Sequence, residues 1–241
     1  TTKESKKNYY PEVLAIIDTI LNQRENPNAK ANAETLKERI LGKQITLNIP
    51  SEIYPNQNFR AFVDFKNIDT LKVSYYKIPI GILKKLQEVN RYTRNFKNEY
   101  INRDLIALSF IEKNKVVKSV FNILPKKSDH FSYTTEILMD SLTVGSYLLF
   151  FETSNNANNR KKVFAYKTLQ VSNINYVQET ESDYDSFHLL DRKTGKPIEN
   201  AVIKNDVFTQ KTNQKGFARF ELFPKNEVSY SNLIFSKDND T

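Results

Sequence analysis

From Lys43 onward the apolar residues of this chain fall at every second position, and that period limits the architectures open to it. Ile45, Leu47 and Ile49 alternate with polar residues until Pro50 stops the run. Ala61, Val63 and Phe65 repeat the pattern within Phe59–Phe65, and Leu71, Val73 and Tyr75 follow. After an interruption at Leu83–Asp104, rich in Asn, Arg and Lys, strand-like runs resume at Leu105–Ile111, Val116–Leu124, Phe131–Leu138, Ser146–Phe151 and Lys162–Val171. Successive side chains on a strand point to opposite faces, so each run offers one apolar and one polar face. Roughly eight strands with short connections and no helices at βαβ spacing predict an antiparallel sandwich of the immunoglobulin or fibronectin type. Composition agrees: aromatics reach 12%, all Tyr and Phe, and rings pack well on a pleated surface alongside branched side chains.

The segment before Lys43 reads differently. Tyr10, Val13, Leu14, Ile17, Ile20 and Leu21 recur at helical spacing, with Pro11 where a first-turn proline is tolerated. Asn26-Pro27-Asn28 makes a turn, and Ala29, Ala33, Leu36 and Ile40 form the face of a second helix. Gly42 stands where a left-handed C-terminal cap belongs. Two short helices cannot bury their faces alone, so they are expected to pack on each other and on a neighbour.

Beyond the alternating region, Ser172–Ser186 reads as a boundary, with the polar, acidic run Gln178–Asp185 as a linker. Strands are expected again at Phe187–Leu190, Ala201–Val207, Phe217–Leu222 and Ser229–Phe235. Four or five strands fall short of the roughly seven of a complete sandwich. The expected organisation is therefore a helical lead-in at 1–42, a β-sandwich at 43–174 and a second, incomplete sandwich at 175–241.

A chain of 241 residues can bury a substantial core. It contains no cysteine, which excludes a catalytic thiol, disulfides, thiolate zinc sites and iron–sulfur clusters. No run approaches the roughly 20 apolar residues of a membrane-spanning helix. The chain begins at Thr1 and ends in the polar stretch Ser236–Thr241, and both ends are expected to be boundaries within a longer protein. The net charge is +8, but the lysines are scattered as singles and pairs, which fits a dispersed soluble surface better than a nucleic-acid partner.

Candidate chemistry is sparse. His130 lies in the turn Lys127-Ser128-Asp129-His130 and His188 on a strand; neither has a companion at metal-ligand spacing. A Ser–His–Asp triad assembles across a fold and leaves no local spacing, but no Gly-x-Ser-x-Gly elbow is present. Gly42, Gly81, Gly145, Gly195 and Gly216 are isolated and read as turn residues, so no phosphate-cradling loop is expected. Glu179, Glu181, Asp183 and Asp185 offer carboxylates without the spacing of a calcium loop. The basic and aromatic stretch Asn90–Lys97 reads as a surface insertion anchored by its rings rather than a stacking platform. The Asn-rich stretch Ser154–Arg160 reads as a hairpin turn. No catalytic, cofactor-binding or metal-binding residue and no cofactor are expected.

Two stretches are more specific. In Phe187–Ile203 a strand runs into the turn Asp191-Arg192-Lys193-Thr194-Gly195, and Pro197 opens the next strand where its missing donor is harmless. Asp191 and Thr194 can close that turn through side-chain hydrogen bonds, and Gly195 supplies positive φ. Thr212–Phe220 is a polar turn ending in Gly216 that feeds a strand. This D-x-x-T-G-K-P-x-x-x-A-x-V … T-x-x-x-G-x-A-x-F arrangement resembles the sandwich domains at the front of alpha-2-macroglobulin family proteins, and also the transthyretin-like sandwich. Tyr54–Ala61 and Ser74–Pro79 resemble the opening strands of a macroglobulin-like domain. Thr135–Leu138 and Leu142–Leu149 resemble its ending in large proteins of Bacteroidetes-type bacteria, and Val171–Ile174 its junction with the next domain. The helical pair before Lys43 resembles, less specifically, the helical lead-in of the same proteins.

The resemblance implies a non-catalytic scaffold within a large exported protein that traps proteases. In that family, cleavage of a bait segment drives a conformational change, and many members capture the protease through a Cys–Gln thioester. This chain has no cysteine and therefore no thioester, and it shows no long bait-like insertion. The implied partners are other domains of the parent chain and, through the parent, proteases, with no nucleic acid and no membrane insertion by this segment. The implied location is the periplasm or outer cell surface, with any anchor lying upstream. A competing reading is an adhesin or carbohydrate-binding module, which would show a stripe of exposed Tyr and Phe on one sheet or a calcium site at the acidic run. An enzyme would need His130 or His188 beside a nucleophile in a cleft.

Overall fold

A computed structural model describes residues 7–23, 26–88, 92–94, 100–125, 127–153, 163–181, 184–205, 208–221 and 233–240. The chain opens with α1 (Tyr10–Asn22) and α2 (Pro27–Leu41), and the Asn26 side chain caps α2 by accepting the Ala29 N–H at 3.1 Å. Their apolar stripes meet: Ile17, Ala33 and Ile40 are buried, with Val13, Leu14 and Ile20 packed around them. Gly42 is not a left-handed cap. Its backbone is extended at φ −61° and ψ 138°. Glycine is needed there because a Cβ would sit 2.5 Å from the Glu38 carbonyl oxygen. Asn67 fastens this end, donating from Nδ2 to the Ile40 and Gly42 carbonyls at 2.9 and 3.0 Å, while Lys66 Nζ donates to Arg39 at 2.8 Å. The hairpin is thus bound to the sheet through the turn that follows its third strand.

The alternating region gives β1 (Gln44–Asn48), β2 (Glu52–Ile53), β3 (Phe59–Lys66) and β4 (Thr70–Lys77). An insertion follows, made of α3 (Ile80–Glu88), the pair β5 (Tyr92–Arg94) and β6 (Tyr100–Asn102), and α4 (Arg103–Lys113). The strands then continue as β7 (Lys118–Ile123), β8 (Ser132–Met139), β9 (Gly145–Thr153) and β10 (Phe164–Val171). They form two sheets, β1-β3-β8 and β2-β10-β9-β4-β7, antiparallel throughout except where short β2 runs parallel to β10. In β3, Ala61, Val63 and Phe65 are buried while Arg60, Phe62 and Asp64 face out. They close on Leu71, Val73, Leu149, Phe151, Leu169 and Val171 from the other sheet. Each such side chain removed from water contributes about 1.5–3 kcal/mol.

The run Leu105–Ile111 is helix, not strand. Asn102 caps α4 by accepting the Asp104 N–H at 2.8 Å. Ile106, Ala107, Phe110 and Ile111 recur at helical spacing and pack with Leu83 and Leu86 of α3 onto Leu148. Leu148 faces outward from β9, so the insertion covers the outer face of the larger sheet. Gly81 lies in the first turn of α3 rather than in a turn between elements. The basic and aromatic stretch at 90–97 and the Asn-rich one at 154–160 lie largely outside the described residues.

The rest of the chain builds a second pair of sheets. Strands β11 (Ile174–Thr180), β12 (Tyr184–Asp191) and β15 (Phe217–Glu221) form one sheet in the order β11-β12-β15. Strands β13 (Val202–Lys204), β14 (Thr209–Lys211) and β16 (Ile234–Ser236) form the other, ordered β14-β13-β16. Phe187, Leu189, Ala201, Ile203, Ala218 and Phe220 make a core separate from the first. The acidic run is not a linker: Gln178, Glu179 and Thr180 lie on β11 and pair with Phe187, Ser186 and Asp185. Only Ser172 and Asn173 separate β10 from β11.

Candidate functional site

The feature that organises this molecule is the seam between the two sandwiches, and it is built on the Asp191–Gly195 turn. Gly195 adopts φ +68°, which closes the turn, and Gly195 N–H donates to the Asp191 carbonyl at 2.8 Å. Asp191 Oδ1 accepts the Thr194 hydroxyl at 2.7 Å and the Thr194 N–H at 2.8 Å. The Thr194 hydroxyl, then the amides of Thr194 and Lys193, hold the Asp191 carboxyl below its usual range. Gly216 lies against the same turn, at φ +70°, with the Leu189 carbonyl oxygen 2.4 Å from where its Cβ would be.

The rigid turn aims Arg192 back at the first sandwich. Its N–H donates to the Asn173 carbonyl at 2.6 Å, and its Nη2 to the Ile174 carbonyl at 3.0 Å and to the Glu52 carboxylate. Its carbonyl accepts the Tyr54 hydroxyl at 3.2 Å, and its guanidinium lies 6.0 Å from the Tyr54 ring centre. The Arg192 side chain is only 16% exposed, while Glu52 is 52% exposed. The bonds to Asn173 and Ile174 extend the β11–β12 ladder within the second sandwich. The bonds that cross to the first are the ion pair with Glu52, worth about 1 kcal/mol or less at this exposure, and the Tyr54 hydroxyl on the Arg192 carbonyl, at about 1 kcal/mol. The two connecting residues are tied as well. Ser172 N–H donates to Ile53, Ser172 Oγ accepts the Ile174 N–H, and Asp240 Oδ2 accepts the Asn173 N–H at 2.7 Å.

Beside the seam an open cleft is lined by Glu52, Lys84, Gln87, Tyr176, Arg192 and Phe235, among others. Its volume is about 160 Å³, below the roughly 300 Å³ at which small-molecule sites begin.

The sequence candidates lie apart from this seam. His130 adopts φ +61° in its turn, and its Nδ1 is 2.9 Å from Asn67 Oδ1. His188 is half-buried on β12 with its ring 4.9 Å from that of Phe217. Glu179 and Glu181 lie along the β11–β12 hairpin, and a hydrogen bond from the Tyr184 hydroxyl to Glu181 raises the Tyr184 pKa. Asp185 is buried, and Asp183 lies outside the described residues. Among the described residues no three of His, Asp and Glu gather in a group that could hold a metal ion. No helix among them is long and apolar enough to cross a membrane. Arg192 was visible in the sequence only as a turn residue; its partners are up to 140 positions away, and no local signal announces them.

No protein-family model matches the chain, and no curated protein matches its sequence. Among solved structures it is similar to native alpha-2-macroglobulin from Escherichia coli spanning domains MG0-NIE-MG1, with a TM-score of 0.57 at 10% identity over 82% of this chain and 62% of that one. This is an alpha-2-macroglobulin-like fold. A second Escherichia coli fragment, spanning domains NIE-MG1, aligns with a TM-score of 0.56 at 11% identity over 82% of this chain and 94% of its own. The chain spans 62% of the length of the first of these structures. At such identities the likeness is one of fold.

Proposed function

We propose that this chain is a non-catalytic scaffold of a larger, exported alpha-2-macroglobulin-like protein whose parent traps proteases. The observation that carries the reading is the fold likeness over 82% of the chain to fragments of such a protein. The seam supports it, because it ties one sandwich to the next. On this reading the units are the helical lead-in at 1–42, a sandwich at 43–174 and a second at 175–241, and their partners are other domains of the parent and, through it, proteases. No nucleic acid is a partner. The parent acts in the periplasm or at the outer cell surface, and the Bacteroidetes-type affiliation rests on the sequence motifs alone. The adhesin reading has less behind it: among the described residues the exposed rings, Tyr9, Tyr54, Phe62, Phe121 and Tyr176, each lie on a different segment.

The test compares the isolated chain with the full-length protein. The full-length protein is expected to slow an endopeptidase on a large substrate such as casein while sparing hydrolysis of a small peptide. The isolated chain at tenfold excess is expected to leave both activities unchanged. Inhibition by the isolated chain, or no size-dependent protection by the parent, contradicts the proposal.

A further inference from the structure

We propose that the open edge of β7 is a docking strand for an extended, acidic-flanked segment of another polypeptide. Strand β7 ends the sheet ordered β2-β10-β9-β4-β7, and among the described residues no strand pairs with its outer side. Leu124 N–H donates to the Asp69 carbonyl at 2.9 Å, which fixes the phase of the antiparallel ladder with β4. In such a ladder alternate residues turn their backbone groups toward the partner strand. Lys118, Val120 and Asn122 therefore bond to β4, and the N–H and C=O groups of Ser119, Phe121 and Ile123 point to the open edge.

Those same residues carry an apolar face into solvent. Phe121 is 64% exposed and Ile123 88%, and Val117, just before the strand, is 60% exposed. Long, exposed, apolar edges invite strand pairing, and proteins ordinarily blunt them with inward charges, bulges or proline. This edge has none of those at Ser119–Ile123, and Pro125 stands beyond its end. An added strand would satisfy three residues' backbone groups. Apolar residues at its alternate positions would face Phe121 and Ile123 in cross-strand pairs.

Charge selects the occupant. Between residues 112 and 129, Lys113, Lys115, Lys118, Lys126 and Lys127 stand against Glu112 and Asp129, five positive against two negative, for a net +3. Lys118 pairs with Asp140 at 2.6 Å, and Lys127 lies over the Tyr133 ring at 4.1 Å. A second copy pairing antiparallel on β7 would set the Lys113 and Lys115 end of one copy against the Lys127 end of the other. Like charges at that approach disfavour self-pairing. A strand with carboxylates at both ends meets lysines at both ends.

The test uses the whole chain labelled with ¹⁵N and a synthetic decapeptide of alternating Val and Thr with two Glu at each end. Amide shifts are expected to concentrate at Ser119, Phe121 and Ile123. Binding is expected to weaken about tenfold when the glutamates become lysines, and to vanish when alternate peptide amides are N-methylated. Phe121→Lys and Ile123→Lys change exposed side chains and so keep the fold, checked by far-ultraviolet circular dichroism, yet each is expected to abolish binding. Absent shifts, shifts elsewhere, or equal binding of the lysine peptide overturn the proposal. So does a concentration-dependent doubling of molar mass that Ile123→Lys removes, because the occupant is then a second copy.

Discussion

Two glycines with nearly the same backbone do different work at the seam turn. Gly195 has φ +68° and open space around its missing Cβ, whereas Gly216 has φ +70° and the Leu189 carbonyl oxygen 2.4 Å away. A non-glycine residue in the left-handed region costs about 1–2 kcal/mol. Gly195→Ala is expected to cost about that much, and Gly216→Ala clearly more, because a backbone oxygen must also move. Urea unfolding of the two variants checks the order. Gly195→Asn is expected to be milder than Gly195→Ala, since Asn tolerates this conformation. Asp191 adds a dependence on pH. Its carboxyl is held below its ordinary value of 3.8, chiefly by Thr194. The stability it contributes is therefore fully present above that value and lost as pH falls through the lower folded value. Thr194→Val is expected to lower stability at neutral pH, with its deficit relative to the parent chain shrinking below pH 3.8. A deficit that stays constant down to pH 2 contradicts this assignment.

At the scale of elements, strands with one wet face were legible, because burial on one side forces period two. The runs at Phe59–Phe65 and Leu71–Tyr75 became β3 and β4 within a residue or two. Leu105–Ile111 was misread because seven nearly continuous apolar residues satisfy either period; the Asn102 cap and Lys113 in the last turn were the signals for helix. Strand β11 was missed for the opposite reason. It is an edge strand with only Ile174 buried, so its acidic residues lie in solvent and leave no apolar trace. The layer formed by α3 and α4 makes a sharp expectation. Leu86 is fully buried among Leu83, Ala107 and Leu148. Leu86→Ala is expected to cost about 2–5 kcal/mol in denaturant unfolding. A loss under about 0.5 kcal/mol would show instead that this layer contributes no packed core.

At the scale of the whole molecule, two cores lie in series, joined by Ser172 and Asn173, with Arg192 reaching across the seam to Glu52 and Tyr54. The sequence conveyed the two cores and the motif turn, because those are local patterns. The fastening was hidden, since Arg192 meets Glu52 and Tyr54 from 140 and 138 positions away. Arg192→Ala removes the side-chain bonds to Glu52 and Ile174 but keeps the backbone bonds of residue 192 to Asn173 and Tyr54, and it is expected to loosen the seam while leaving both cores folded. The central claim is that one sandwich is held at a fixed angle to the next. The chain contains no cysteine, so Ser132→Cys on β8 and Gln210→Cys on β14 accept spin labels at those two sites alone. Double electron–electron resonance is expected to give one narrow distance distribution, broadened by Arg192→Ala. A broad or multiple distribution in the chain with native Arg192 would contradict the account.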